Sequence, residues 1–370
     1  MTRSFIVVAF TLLTCFSATA QIPLTSLPSG GNKKAAVSER VGLTDISIHY
    51  DRPAVKGREG KIWGTLVPVD FIDPGFGSSK SAPWRAGANE NTTIEFSRPV
   101  KIEGEALPAG KYGFFIAYDP NESTLIFSKN AGSWGSYFYD EREDALRVKV
   151  KPRAATTSTE WLKYEFLEQT ENAATIALTW EKLTIPFRVE TNYIEDQLAS
   201  FRQELRTEKG FMWQSWQQAA NWCLQRNVNL PQALQWADSA SSPSFGGNRS
   251  FIAHSTKAQI LEKLGRKEEA ATIIKQAFAI ATMNEIHQYG RQLVQQRKGK
   301  EALEVFRSNF EKNPNQFTTL VGLARGYAAV GDFQTALKYA EQALPMTAEI
   351  NNRNNLQAMI ARLREGKDIN

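Results

Sequence analysis

Tyr50-Asp51-Arg52-Pro53, Lys56-Gly57-Arg58, Ile62-Trp63-Gly64, Pro83-Trp84-Arg85-Ala86-Gly87-Ala88-Asn89-Glu90 and Thr92-Thr93-Ile94-Glu95-Phe96 follow one another within residues 48–96. Ile46, Ile48 and Tyr50 alternate with Ser47, His49 and Asp51, the period-2 pattern of a strand with one wet face, and Thr92–Phe96 reads as a second strand. Between them runs a long excursion punctuated by Gly and Pro and loaded with Arg, Lys and Trp. That is where a β-scaffold places recognition rather than core.

Working outward, further strands are expected at Val100–Glu103, Lys111–Ala117, Thr124–Phe127, Leu146–Lys151, Glu160–Glu168, Ala174–Glu181 and Thr184–Glu190. The turns between them have known mechanisms: Pro108-Ala109-Gly110, Asp119-Pro120-Asn121 and Asn130-Ala131-Gly132, where Pro presets φ and Gly or Asn accepts a positive φ. Short strands with no helical stretch between them predict an antiparallel β-sandwich over residues 40–190. Phe114, Phe115, Tyr118, Phe127, Trp161, Tyr164, Phe166, Trp180 and Phe187 fall at strand spacing and are read as core.

At Thr191 the period changes. Tyr193, Ile194, Leu198, Phe201 and Leu205 fit a connecting helix over residues 191–210, with Asn192 as its cap. Residues 211–370 then read as a helical repeat. A small residue opening the second helix of each unit recurs as Ala233, Ala270, Ala302 and Ala336, at intervals of 37, 32 and 34. These bracket the 34-residue tetratricopeptide period, and the last unit (Leu320, Leu323, Ala324, Tyr327, Gly331, Ala336, Ala343) occupies its signature positions. The first unit is degenerate and aromatic, with Trp213, Trp216, Trp222 and Trp236, and a polar helix over Ile350–Arg364 would cap the far end. The expected fold class is therefore multidomain β + α, a β-sandwich followed by a tetratricopeptide-like stack whose partner would be a protein or peptide.

At 370 residues the chain exceeds the ~250–300 at which single cores stop growing, which agrees with two domains. Residues 1–20 carry Arg3, the apolar run Phe5–Phe16 and Ser17-Ala18-Thr19-Ala20, the order of a secretory signal cleaved after Ala20. A retained anchor is the alternative, but the run falls short of the roughly 20 residues of a span. A lipoprotein built on Cys15 fits less well, because Thr14 stands where Gly, Ala or Ser is usual. Residues 21–39, rich in Pro, Ser, Gly, Asn and Lys, read as a flexible leader. Cleavage lowers the formal charge from +5 to +4 by removing Arg3, and leaves Cys223 as the one cysteine. The expected mature protein is secreted or periplasmic, without an intramolecular disulfide, a membrane span or the charge that nucleic-acid binding requires.

The motifs Tyr50-x-Arg52-Pro53-x-Val55-Lys56-Gly57-Arg58, Ile62-Trp63-Gly64-x-Leu66-Val67-Pro68, Trp84-Arg85-x-Gly87-Ala88-Asn89-Glu90-x-Thr92-Thr93, Leu107-Pro108-Ala109-Gly110-Lys111-Tyr112 and Trp134-Gly135-x-Tyr137 resemble the family known as domain of unknown function 2911, over about Ser38 to Glu190. The resemblance implies a secreted bacterial protein, often with a C-terminal helical repeat extension, and implies no chemistry. Asp70–Ser81 is longer than that pattern leads one to expect.

The candidate ligand cluster is Arg52, Lys56, Arg58, Trp84, Arg85, Asn89 and Glu90, joined by Lys129 and Trp134. Arginine forks suit carboxylates and Trp offers a stacking face, so the cluster would fit an anionic glycan or a carboxylate ligand, as a lectin or a carbohydrate-active enzyme would use it. The competing expectation is a structural clamp in which Arg85 pairs with Glu90 and Trp63 and Trp84 close the end of the sandwich. Catalytic motifs are not visible. His49, His254 and His287 fall on a strand and on repeat helices, Gly75–Ser81 lacks the Gly before Lys80 of a phosphate loop, and Glu90 with Asp140 or Glu141 is an acid pairing that glycoside hydrolysis could in principle use, although solvated acids are the default. No cofactor or metal is expected, and the protein is read as a binding or scaffolding component.

Overall fold

The computed structural model describes residues 31–370, and these divide into two compact units, residues 31–197 and 198–370. The expected signal segment and most of the leader lie outside the described residues.

The first unit contains two antiparallel sheets. One has six strands in the order β1-β2-β3-β6-β7-β8, formed by β1 (Lys33–Val41), β2 (Thr44–Arg52), β3 (Thr92–Phe96), β6 (Gly110–Ala117), β7 (Ser123–Ser128) and β8 (Asp144–Val150). The other runs β5-β4-β10-β9, with β4 (Val100–Ile102), β5 (Glu105–Leu107), β9 (Arg153–Leu167) and β10 (Ala173–Thr191). Their facing sides share one core, in which Ile46, Ile48, Ile94, Phe96, Phe114 and Phe127 from the larger sheet are packed with Ile176, Trp180 and Phe187 of β10. The alternation read in β2 is what points Ile46 and Ile48 inward, while His49 and Asp45 stay outside.

Two sequence expectations need correction. The leader does not extend to Glu39: Lys33–Val41 is a strand, paired with β2 from Lys33↔Arg52 to Val41↔Thr44. Likewise, the separate strands expected over 174–181 and 184–190 are one strand of 19 residues. The polar pair Glu181-Lys182 does not end it, because the register with β9 shifts on either side of Glu181. Glu181 adopts φ +52 and its Oε1 accepts the Gly60 N–H at 2.7 Å, so this bulge also ties down the loop after β2. The aromatic core assignments hold for Phe114, Phe115, Tyr118, Phe127, Tyr164, Trp180 and Phe187, whereas Trp161 and Phe166 are only partly buried.

The chain division falls within α1 (Tyr193–Glu204), which ends six residues earlier than expected and is followed by a short 3-10 turn over Glu208–Phe211. Four helix pairs follow: α2 (Trp213–Arg226) with α3 (Leu230–Ala240), α4 (Phe251–Lys263) with α5 (Lys267–Ile280), α6 (Met283–Gln295) with α7 (Gly299–Lys312), and α8 (Phe317–Ala329) with α9 (Phe333–Ala343), before α10 (Ile350–Arg364). Ala233, Ala270, Ala302 and Ala336 are all buried near the start of the second helix of each pair, where a larger side chain would hold the helices apart. In the aromatic first pair, Phe201 of α1 meets Trp222 and Trp236 edge-on, with ring centroids 5.7 and 6.0 Å away. Among the described residues no helix is long and apolar enough to cross a membrane.

Candidate functional site

Of the quoted motifs, Arg85–Glu90 and Trp134–Tyr137 meet at the outer face of the six-stranded sheet of the first unit, whereas Trp63 and Trp84 pack against the sandwich core and Arg52 reaches β9. β2 turns Asp51 toward this face, directly opposite Lys34 of β1. The loop after Trp84 folds back over it, with the Ala88 N–H donating to the Asp51 carbonyl at 3.2 Å. A side chain at Gly87 would meet that same carbonyl at 3.1 Å and the Thr92 hydroxyl at 2.7 Å, so the Gly in the motif is what allows the loop to close. Asp51 is left only 3% exposed, and its Oδ1 has no hydrogen-bond partner. Desolvation by burial raises its pKa, against the pull of Lys34. Asp51 was not among the residues singled out from sequence. The strand alternation places it on a wet face, and only the returning loop buries it.

The arginines are spent on main chain. Arg52 Nε donates to the Leu162 carbonyl at 2.7 Å, and Arg58 donates to the carbonyls of Val55 (2.9 Å) and Ala54 (2.7 Å). Arg85 Nη1 donates to the Asn89 carbonyl at 2.6 Å, and its guanidinium lies 5.3 Å from the ring centroids of both Trp134 and Tyr137. Gly135, at φ +69, explains the spacing of Trp134-Gly135-x-Tyr137: a Cβ there would come within 2.6 Å of the guanidinium carbon. Asn91 fastens the same loop by donating to the carbonyls of Ser133 (3.2 Å) and Gly135 (2.7 Å).

Arg85 and Glu90 therefore do not pair. Glu90 makes its ion pair with Lys34, a partner 56 residues away in the strand read as leader. Asn89 accepts from Asn32 Nδ2 at 3.2 Å. The expected closure by tryptophans is present, since Trp63 meets Trp84 edge-on at 5.6 Å and Trp84 stacks on Trp180 at 6.3 Å. The structure thus brings Asn89 and Glu90 up to Asp51 and Lys34, and Arg85 links Asn89 to Trp134. Lys56 and Lys129 are exposed, and their backbone N–H groups serve Glu160 and Glu143. Trp134 is 56% exposed and stacks on Tyr137 at 6.0 Å, with exposed Phe76 and Phe138 nearby in the same loop pair.

Titratable groups elsewhere are accounted for structurally. Arg142 holds Asp140 down at about 2, in a solvated pair on the 3-10 turn over Glu141–Glu143. Burial pushes the Cys223 thiol up to about 11, which removes its nucleophilicity at neutral pH. Among the described residues no three His, Cys, Asp or Glu side chains form a metal-binding group.

In the second unit, the first helices of the pairs present a groove of about 420 Å³. Gln217 and Asn221 of α2, Ser255 and Gln259 of α4, and Gln288 and Gln292 of α6 line it. Its one charged residue, Glu285, is committed to the α6 capping box, where it accepts from the Thr282 N–H at 2.9 Å. Amides offer both donors and acceptors, the complement of a peptide main chain. The repeat spacing gave no hint of this composition, which shows only when three successive first helices are aligned.

No curated protein matches the chain. Solved structures resembling the helical region include PilF of Pseudomonas aeruginosa (18% identity, 43% of this chain and 70% of that one, TM-score 0.30). Others are YrrB, described as a tetratricopeptide protein with an unusual peptide-binding site (16%, 46% and 86%, 0.27), and MamA of Desulfovibrio magneticus RS-1 (16%, 44% and 90%, 0.28). Residues 32–189, the sandwich, match the family model described as protein of unknown function (DUF2911).

Proposed function

We propose that the protein is an exported, non-enzymatic binding component of the cell envelope whose helical stack holds an extended segment of a partner protein. The observation that carries this reading is the amide-lined groove across α2, α4 and α6, whose one charged residue, Glu285, is committed to the α6 capping box. A surface of Gln and Asn side chains recognises main-chain amides with little regard to sequence, and it binds through hydrogen bonds rather than long-range charge. The test is fluorescence anisotropy with a labelled, neutral, unstructured octapeptide. Binding is expected to survive high salt and to weaken at least tenfold in the Gln259→Leu/Gln288→Leu/Gln292→Leu variant, and unchanged affinity in that variant would overturn the reading. Export is supported by the order of residues 1–20 and is tested by sequencing the N-terminus of the cell-derived protein, expected at Gln21.

A second reading concerns the sandwich. The exposed Trp134 ring, held against the Arg85 guanidinium, offers a stacking face for the apolar side of a sugar, and the exposed Glu90 offers a hydrogen-bond acceptor for its hydroxyls. Retention on immobilised glycans that vanishes in Trp134→Ala but persists in Lys56→Ala would support it, and retention unaffected by Trp134→Ala would dismiss it.

A further inference from the structure

The same stack carries a second surface of opposite character, whose proposed role rests on the peptide-groove reading. α6 turns Gln288 and Gln292 toward the amide-lined groove and places Arg291 along the seam with α8. There a cavity of about 550 Å³ is lined by Arg291, Arg297 and Arg325, with Asp368 as its one acid. Arg325 is half-buried, yet its guanidinium reaches no carboxylate. It approaches the Ile369 carbonyl at 3.4 Å, Asn370 Oδ1 at 3.5 Å and the Met359 sulfur at 3.9 Å, all long contacts. Burial and the charge of Arg291 lower its pKa, so the site holds more positive charge than its single acid offsets. Arg291 makes no ion pair among the described residues. Close by, His287 is 8% exposed and its Nδ1 is unpartnered.

Apart from Met359 of α10, the groups that touch Arg325 come from the segment after that helix. Arg362 donates from Nε and Nη2 to the Asp368 carbonyl at 2.9 and 2.7 Å, and Asn370 Nδ2 donates to the Arg325 carbonyl at 3.1 Å. Ile369 packs against the apolar cluster of α8, α9 and α10. The segment is thus strapped across the cavity by these hydrogen bonds and the Ile369 contact, with Asp368 as its one acidic side chain.

We propose that this cavity anchors an acidic side chain of the peptide lying across the amide-lined groove, and that residues 366–370 are a displaceable occupant of the same place. A carboxylate would accept charge-assisted hydrogen bonds from the Arg325 fork, which now makes only long contacts to the Ile369 carbonyl, the Asn370 side chain and the Met359 sulfur. Displacing the strap exchanges those contacts for such a pair. The two surfaces meet on one helix, so a single extended segment reaches both: its main chain is read by glutamines, its charge by arginines.

The test uses the full chain and two labelled octapeptides, (Glu-Ser)4 and (Gln-Ser)4, with affinity read by anisotropy at low and high salt. The acidic probe is expected to bind about tenfold tighter at low salt, with the preference shrinking as salt rises. The Arg291→Gln/Arg325→Gln variant, checked by circular dichroism to be folded, should lose that preference and keep its affinity for the neutral probe. Arg325→Lys, which keeps the charge and loses the fork, should fall between. Deleting residues 366–370 should tighten the acidic probe several-fold and leave the neutral one unchanged. Equal binding of both probes, with no effect of the arginine variant, would refute the anchor while leaving the groove reading intact. Acidic binding that ignores the Gln259, Gln288 and Gln292 substitutions would instead remove the groove and leave the anchor. If neither probe binds, both are refuted, and a deletion without effect on the acidic probe removes the role of the strap.

Discussion

Phe306 of α7 is fully buried and three glycines surround its ring: a Cβ built on Gly290 would lie 2.5 Å from Cε1, on Gly322 2.7 Å from Cδ1 and on Gly326 2.9 Å from Cδ2. Gly290→Ala therefore sets two effects against each other. Alanine in a helix interior is favoured over glycine by about 1 kcal/mol, while forcing a methyl group into a filled site costs about 1–3 kcal/mol. The ring has no direction in which to yield, because the opposite approaches are closed by α8 at Gly322 and Gly326. The packing cost should win at its upper end, leaving a net loss of about 2 kcal/mol. Phe306→Leu alone should cost about 1–2 kcal/mol by leaving a gap. In the double variant the leucine makes room for the methyl, so the combined loss should fall short of the sum by at least about 1 kcal/mol. Urea unfolding of the full chain, followed by circular dichroism at the helical band that the stack dominates, gives all four values. Stabilisation by Gly290→Ala, or additivity within about 0.5 kcal/mol, would refute the idea that these glycines exist to admit the ring.

The remaining predictions concern buried polar groups. Burial, with Arg291 and Arg325 nearby, holds the His287 pKa at about 4 against its ordinary 6.5, so the folded protein keeps it neutral while the unfolded chain takes up a proton. Stability from this group is complete above pH 6.5 and is lost as pH falls toward 4, by about 3 kcal/mol in all; His287→Gln should flatten that part of the pH profile of the urea midpoint. Arg85→Ala should cost about 2 kcal/mol through the lost Asn89 hydrogen bond and the two ring contacts, and should open residues 131–139 to proteolysis. An unchanged digestion pattern would contradict that. The Tyr139 hydroxyl donates to Asp144 at 2.7 Å and accepts from Arg147 at 2.8 Å, so Tyr139→Phe should cost about 1–2 kcal/mol in thermal unfolding; a wild-type melting temperature would mean that Arg147 alone satisfies Asp144.

The sequence yielded most where local rules govern. The period-2 run Ile46-Ile48-Tyr50 and the alanines at the helix seams are constraints that a strand or a helix pair imposes on its own residues, and both expectations match the structure. What could not be read was set by partners distant in sequence. Lys33–Val41 has the composition of a leader and becomes a strand because β2 offers it a complete register. Glu181-Lys182 resembles a turn, and only the Gly60 N–H and the shifted pairing with β9 keep the strand running through it. In the candidate site, the nearest opposite charges, Arg85 and Glu90, are not the ones that meet. Glu90 reaches back to Lys34 while Arg85 takes the rings of the loop that carries Trp134 and Tyr137, an arrangement dictated by which strands lie side by side.

β1 has a further consequence. Among the described residues it is the outermost strand of its sheet, so one row of its amides and carbonyls pairs with no other described strand. A bare margin of this kind is an invitation for a second molecule to add itself and start a fibre. Lys33, Lys34 and Arg40 stand exposed along it, and any copy approaching in antiparallel alignment would have to bring its own cations against them. Lys33 and Lys34, part of what disguised the strand as a leader, thus set charge along the edge where another strand would have to add.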